Sequence, residues 1–410
     1  MSQLRVLIAG GGIAGLTLAH GLRRSGVDCA VFERDPAAGA RSGYRLTLDA
    51  DGGDALARCL APDLYELYLR ASHRTPRRPD VSVVIDSQAN ELTTAPHIGP
   101  ANDGERPHTA IDRRSFRQIL TAGLDGVLRH DAAVVGVQAR DDGVRVTLSD
   151  GSSAEGDVLV GADGVGSAVR RHLLPDVEIV PAAVDGLGLF ARSPLTAEIL
   201  AELPEVLNDG FVIARDDRGG MLALGQYVPR QPAQEAAAEL GLTLAIDSVA
   251  PYMMISGGVP PGTLVPPPAQ WSTDTPQRMH EGMRAVVADW HPAIRGLVDR
   301  VELDTLFSHP FRRLDPTPAW PASRVTLVGD AITAMLPTLG KGANMSMRNA
   351  AVLRDQLAAA DAGERPLLEA IAAYEDDMRA ATYPLMELAA DHARFGGGGL
   401  RRREDSEVPA

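Results

Sequence analysis

The apolar positions along this chain fall into two rhythms. Near the N-terminus Val6, Leu7, Ile8 and Ala9 form an unbroken run that ends in glycines. Such a run predicts a buried strand over 4–9, and the spacing beyond it predicts a helix from about 13 to 25, stopped at Gly26. Residues 28–33 predict a second strand. Strand, helix and strand in that order make a β-α-β unit with parallel strands. Strand-like pieces follow at 81–86 and 91–95. Phe116, Ile119, Leu120 and Leu124 share one face of a helix that begins near Asp112, its expected cap. Val134–Val137 and Val144–Leu148 predict a hairpin turning at Asp141, Asp142 and Gly143, and 157–161 predict another apolar strand.

From about 180 to 275 the rhythm changes: the short β-like runs Phe211–Ala214, Met221–Tyr227 and Tyr252–Ile255 alternate with Gly- and Pro-rich turns. This region reads as an antiparallel sheet inserted into an α/β domain. Helix returns over 278–300, a strand over 324–328, and helices from about 342 onward, before a tail at 396–410 expected to be flexible.

Composition narrows the function. With 410 residues and 45% hydrophobic positions the chain can build two domains. A net charge of -14 and 4% aromatics argue against a nucleic-acid partner. Cys29 and Cys59 suggest no disulfide framework, so a reducing cytoplasm is expected. The apolar start is too short for a signal peptide that spans a bilayer, and no segment approaches the roughly 20 apolar residues of a membrane helix.

Three turns carry the candidate chemistry. Gly10, Gly12 and Gly15, enclosing Ile13 and Ala14, fit the G-x-G-x-x-G fingerprint between a strand and a helix. There the backbone can approach a pyrophosphate held by the helix N-terminus. Glu33, followed by Arg34, ends the next strand and can accept hydrogen bonds from a ribose. This unit alone does not separate FAD from NAD. The second turn is Gly161-Ala162-Asp163-Gly164, leading to Ser167 and Arg170; by itself it reads equally as a strand-turn-helix capped by Asp163. The third runs from Val325 through Gly329, Asp330 and Ala331 to Pro337, Gly340, Lys341, Gly342, Ala343 and Asn344, a second glycine loop opening a long helix.

Together these motifs resemble the class A flavoprotein monooxygenases, the para-hydroxybenzoate hydroxylase-like family, over the chain to about residue 390. The resemblance implies a Rossmann-type FAD-binding domain (1–72, 108–178 and 278–395) with an inserted, mostly antiparallel substrate domain (73–107 and 179–277) and C-terminal helices. It implies that Gly10, Gly12 and Gly15 cradle the FAD pyrophosphate, that Glu33 binds the adenosine ribose, and that Arg113, with Arg117 as a second candidate, contacts FAD. Asp163 and Gly164 match the motif supporting FAD and a transient NADPH or NADH. Gly329 and Asp330 would hold the ribityl chain, and Pro337 with Gly340, Gly342, Ala343 and Asn344 would line the ring. Phe190, Met221, Tyr227, Tyr252 and Met254 are candidates for the substrate pocket, the two tyrosines through their phenols. The implied reaction reduces FAD with NAD(P)H, forms a flavin C4a-hydroperoxide with O2, and oxygenates a small aromatic or polycyclic substrate. A monomer or homodimer is expected.

The chain departs from the family at Thr333, Lys341 and Asn349, where His, Gln and Asp are common. Thr333 and Lys341 keep open a non-redox cyclase that holds FAD as a structural part. The spacing of Trp271, Trp290 and Trp320 does not match the halogenase pattern, and no metal cluster, nucleophile elbow or complete P-loop is present in the sequence.

Overall fold

A computed structural model describes residues 4–37, 44–181, 188–258, 275–309 and 311–394. Trp271 and the tail at 396–410 lie outside the described residues.

The first apolar run becomes strand Arg5–Ala9, whose Val6, Leu7 and Ile8 are fully buried. It lies at the centre of a five-stranded parallel sheet in the order Val325–Leu327, Val158–Gly161, Arg5–Ala9, Asp28–Phe32, Leu128–Arg129. Strands covered on both faces need apolar side chains at every position, which is why they read as unbroken runs. Helix Ile13–Arg24 covers one face, and the long helix Gly342–Asp361 packs against it and against helix Ala50–Cys59. A three-stranded meander, Val134–Ala139, Val144–Leu148 and Ser153–Gly156, contains the expected hairpin.

The second sheet has seven strands in the order Phe307–His309, Gly188–Pro194, Tyr252–Gly258, Met221–Tyr227, Phe211–Arg215, Val81–Asp86, Glu91–Pro96. Its pairs are antiparallel except Val212 against Val83 and their neighbours, which run parallel. Alternation gives it two distinct faces. Leu189, Ala191, Leu222, Leu224, Met253 and Ile255 build a second core on one face. The opposite face turns Phe190, Arg192, Gly225, Tyr227, Tyr252 and Met254 together, as the cross-strand register requires.

Packing departs from the expected division in two places. The predicted helix 278–300 is two helices, Pro276–Val286 and Pro292–Asp299, because Pro292 starts a new helix capped by the His291 side chain. Met279, Met283, Ile294 and Leu297 from these helices, with Trp290 between them, fill the second core, so they belong with the seven-stranded sheet. Conversely helix Ala233–Glu239 places Ala233, Ala236 and Ala237 in the first core, against helix Pro62–Ala71. Periodicity predicts a helix and its apolar face but not which sheet receives that face. A further two-stranded pair, Arg45–Leu48 with Thr109–Asp112, sits at the seam between the halves and was not foreseen.

Candidate functional site

The three glycine turns converge at the carboxyl end of the parallel strands. Gly10 has φ +107°, and a Cβ on it would lie 2.4 Å from the Ala162 carbonyl oxygen. A Cβ on Gly15 would lie 2.1 Å from the Gly10 carbonyl oxygen. These two glycines therefore let the first helix, its strand and the second turn pack in close contact. Gly12 is different: its nearest neighbour would be 4.0 Å from an added Cβ, and it starts helix Ile13–Arg24 without a side-chain cap. The helix thus begins with uncapped amides beside open space, the arrangement that receives a phosphate. Ile13 and Ala14 form the first positions of this helix.

Glu33 is buried above the loop. Its carboxylate accepts from the Gly11 amide at 2.7 Å and the Asp35 amide at 2.9 Å, with Arg117 at 3.8 Å. Arg117 is thereby brought to the Gly11 end of the first glycine turn. Arg34 turns to Asp35 at 3.3 Å with a largely exposed side chain.

Asp163 takes the role its local sequence suggests: it accepts from the Ala168 and Val169 amides and from the Ser167 hydroxyl, fixing the start of helix Ala168–Leu173. Gly164 has φ +76° with open space around it. Arg170, also buried, donates to the carbonyls of Val165 and Ala331, each at 2.7 Å, and so ties the second turn to the third. Its place in the motif was visible; its bridging role was not, since Ala331 lies 161 residues away.

In the third turn Gly329 has φ +62°, and a Cβ there would stand 2.9 Å from the Ala14 Cβ. Asp330 is the exposed first residue of helix Asp330–Thr333. Pro337 opens a single helical turn ended by Gly340 at φ +65°, and Gly342 and Ala343 begin the long helix. Asn344 accepts from the Asp49 amide at 3.0 Å and donates to the Thr47 and Gly340 carbonyls, both at 3.1 Å. Lys341 is sealed inside, with its ammonium 2.6 Å from Asp49 and 2.7 Å from Asp51. Burial acts to raise the Asp49 pKa, but His97 and Lys341 together outweigh it and hold the carboxyl below its ordinary value. The lysine that stands at the family's Gln position thus has its charge compensated within the protein.

Tyr44 links these turns to the sheet. Burial raises the pKa of its phenol, opposed by the nearby Arg113 guanidinium and reinforced by the Asp330 carboxylate. Its ring stacks on Phe190 at 4.4 Å and 6° between planes. Phe307 stacks on both rings, and Phe311 meets Phe190 edge-on. An aromatic wall therefore stands within electrostatic reach of Arg113 and Asp330.

The tyrosine phenols expected to hold substrate have protein partners. Tyr227 donates to the Ala71 carbonyl at 2.9 Å, and Tyr252 donates to Asp112 at 2.9 Å. Arg192 reaches the same Asp112 oxygen at 2.8 Å and lies over the Tyr252 ring. Burial holds both phenols well above their ordinary pKa. Met221 pairs with Arg215 and Gly258 at the far end of its strand, remote in register from Tyr252; Phe190 and Met254 stand near the wall. Sequence reasoning missed Tyr44, Arg45, Arg192 and Phe307, whose proximity depends on strands distant in the chain. Among the described residues there is no cluster of three or more metal-ligating side chains, and no helix long and apolar enough to cross a membrane.

Residues 8–56 match the family model described as an NAD(P)-binding Rossmann-like domain, and residues 315–388 the model described as an FAD binding domain. A 3-amino-4-hydroxybenzoate 2-monooxygenase of Streptomyces platensis is 30% identical over 89% of this chain and 82% of its own. A dual O-methyltransferase/FAD-dependent monooxygenase of Phaeosphaeria nodorum is 28% identical over 97% of this chain, which spans 45% of that relative's length. Among solved structures, a Photorhabdus luminescens protein assigned as an FAD containing monooxygenase superposes with a TM-score of 0.80 at 26% identity, over 96% of this chain and 98% of its own.

Proposed function

This chain belongs to the class A FAD-dependent monooxygenases, and on that premise we propose that it uses NAD(P)H and O2 to oxygenate a small aromatic or polycyclic substrate. The observation that carries the reading is Tyr44, whose phenol feels the charges of Arg113 and Asp330 on the cofactor side and whose ring stacks on Phe190 on the sheet side. Cofactor-binding and substrate-facing groups thereby share one boundary.

The residues present fit FAD. The open, uncapped helix start at Gly12 suits its pyrophosphate, and Glu33 suits the adenosine ribose. Arg113 and Asp330 both act electrostatically on Tyr44, near which the ribityl chain and ring would lie, and the loop from Pro337 to Asn344 would close that end. When bound, FAD supplies the redox chemistry, passing reducing equivalents from NAD(P)H to O2 so that one oxygen atom enters the substrate and the other leaves as water. The protein's part is to bind, orient and exclude water. The wall of Tyr44, Phe190 and Phe307 presents flat apolar surface to a planar substrate. Asp112 fixes Arg192 and Tyr252 behind it. The uncapped start of helix Gly342–Asp361 places backbone amides where negative charge on a reduced ring would be favoured.

We assign the parallel sheet and its helices to the cofactor, and the seven-stranded sheet to the substrate. A monomer or homodimer acting in the cytoplasm, without a nucleic-acid partner, completes the proposal.

The test is turnover of the purified protein with 18O2, NAD(P)H and a panel of phenols and aromatic acids. Retained FAD, substrate-stimulated NAD(P)H oxidation and one heavy oxygen in the product are expected. Tightly held FAD with substrate conversion that needs neither NAD(P)H nor O2 would replace this reading with the cyclase.

A further inference from the structure

Strand Arg45–Leu48 carries a buried charge with which no carboxylate among the described residues forms an ion pair. Arg45 is 4% exposed, and its Nε and Nη1 atoms are sealed from solvent without a hydrogen-bond partner. Asp112 is its register partner in the adjoining strand. That carboxylate is already committed, one oxygen to the Arg114 and Ser115 amides and the other to Arg192 and Tyr252. The nearby His73 cannot neutralise a cation; burial first, and the Arg45 charge second, hold its ring in the neutral form.

The guanidinium is aimed at the substrate-facing side of the seven-stranded sheet. It lies over Gly225, where an added Cβ would stand 2.3 Å from Nη1. Any side chain at 225 would occupy the guanidinium's place. Gly225 is flanked by Phe211 and Met254 on the neighbouring strands. Met254 is unbranched, so its side chain can repack at low cost to admit a ligand group beside Gly225. Burial lowers the Arg45 pKa to about 10, which leaves it cationic at neutral pH.

Burying an unpaired charge strongly disfavours the folded state. Groups that cost stability in this way are expected where a ligand completes them. We propose that Arg45 is the anion anchor of the substrate site, donating hydrogen bonds over Gly225 to a carboxylate on the aromatic substrate. The proposal rests on the reading that this face of the sheet receives the substrate, and it narrows the substrate class to aromatic acids.

The experiment uses FAD-loaded wild type, Arg45→Met and Arg45→Lys. Calorimetric titration with the matched probes 2-naphthoate and 2-naphthamide reads affinity, flavin absorbance reads retained FAD, and thermal unfolding reads stability. Wild type should bind the carboxylate about tenfold or more tightly than the amide, the worth of one charge-assisted hydrogen bond. Arg45→Met should bind the two probes alike, keep its FAD, and melt at a higher temperature than wild type without ligand. Arg45→Lys should keep part of the preference, and it decides the matter if the methionine variant does not fold. An Arg45→Met protein that melts lower and still prefers naphthoate would make Arg45 a packing residue. Loss of FAD from that variant would move it to the cofactor site and overturn the proposal. Wild-type flavoprotein that binds neither probe, or both equally, would defeat the anchor alone. Wild type that retains no FAD would defeat the flavoprotein reading beneath it, and the anchor with it.

Discussion

Glu375 lies beneath the edge strand Val325–Leu327, fully buried. One carboxyl oxygen accepts from the Thr326 hydroxyl at 2.8 Å and the Trp320 ring nitrogen at 3.1 Å, while the other has no partner. Burial pushes its pKa up to about 7 against those two hydrogen bonds. The native state therefore holds a proton that the unfolded chain releases above pH ~4.5, the ordinary glutamate range. By linkage, stability falls as pH rises through the window up to about 7 and stays lowered above it. Glu375→Gln keeps the acceptor, puts an amide on the orphaned side and cannot ionise. At pH 8 it should be more stable than wild type by up to about 3 kcal/mol, and at pH 4 nearly equal to it. Urea unfolding at both values checks this; an equal gain at both would assign the effect to packing.

At the scale of elements, the long helix Gly342–Asp361 is positioned by its first residues. Lys341 pins its start to the cap and first turn of helix Ala50–Cys59 through Asp49 and Asp51, and Asn344 holds the residues just before that helix. Lys341→Met leaves Asp49 buried without its cation, so a loss of about 3–5 kcal/mol is expected in chemical unfolding, with weaker FAD retention. The family departures find their explanation here. Thr333 donates to the Gly329 carbonyl at 2.9 Å, and Asn349 donates to Thr382 at 3.0 Å, so each unusual side chain is satisfied by a neighbour. The glycine turns were legible in the sequence because they are local: spacing alone fixes which glycine meets which strand end. The partner of Lys341 was not, since Asp49 stands 292 residues earlier. Tyr44, Arg45 and Arg192 escaped for the same reason. Their roles arise only when the seam pair and the large sheet are brought face to face.

At the scale of the molecule, the two sheets meet at Asp112. One carboxylate oxygen caps helix Arg113–Thr121, and the other holds Arg192 and Tyr252 of the seven-stranded sheet. Removing it loses a cap, worth about 0.5–2 kcal/mol, and strands a partly buried guanidinium. Asp112→Ala should cost at least about 3 kcal/mol in total, read by denaturant unfolding. It should also weaken binding of an aromatic substrate while the isolated Arg192→Met change, which strands no cation, does so less. The division into two sheets was readable from the change of rhythm near residue 180. The placement of helices 276–299 and 233–239 was not, because an apolar stripe does not specify the surface it will cover.

The strand order of the parallel sheet has a consequence for biosynthesis. Arg5–Ala9, made first, is flanked by strands 28–32 and 158–161, and its sheet is finished by 325–327. At roughly 5–20 residues per second, a ribosome needs on the order of tens of seconds to deliver that last strand. Until then strand 158–161 keeps one apolar edge unpaired, a surface that suits chaperone recognition. Cofactor loading is consequently a late event, coming after the helix that begins at Gly342 has left the exit tunnel.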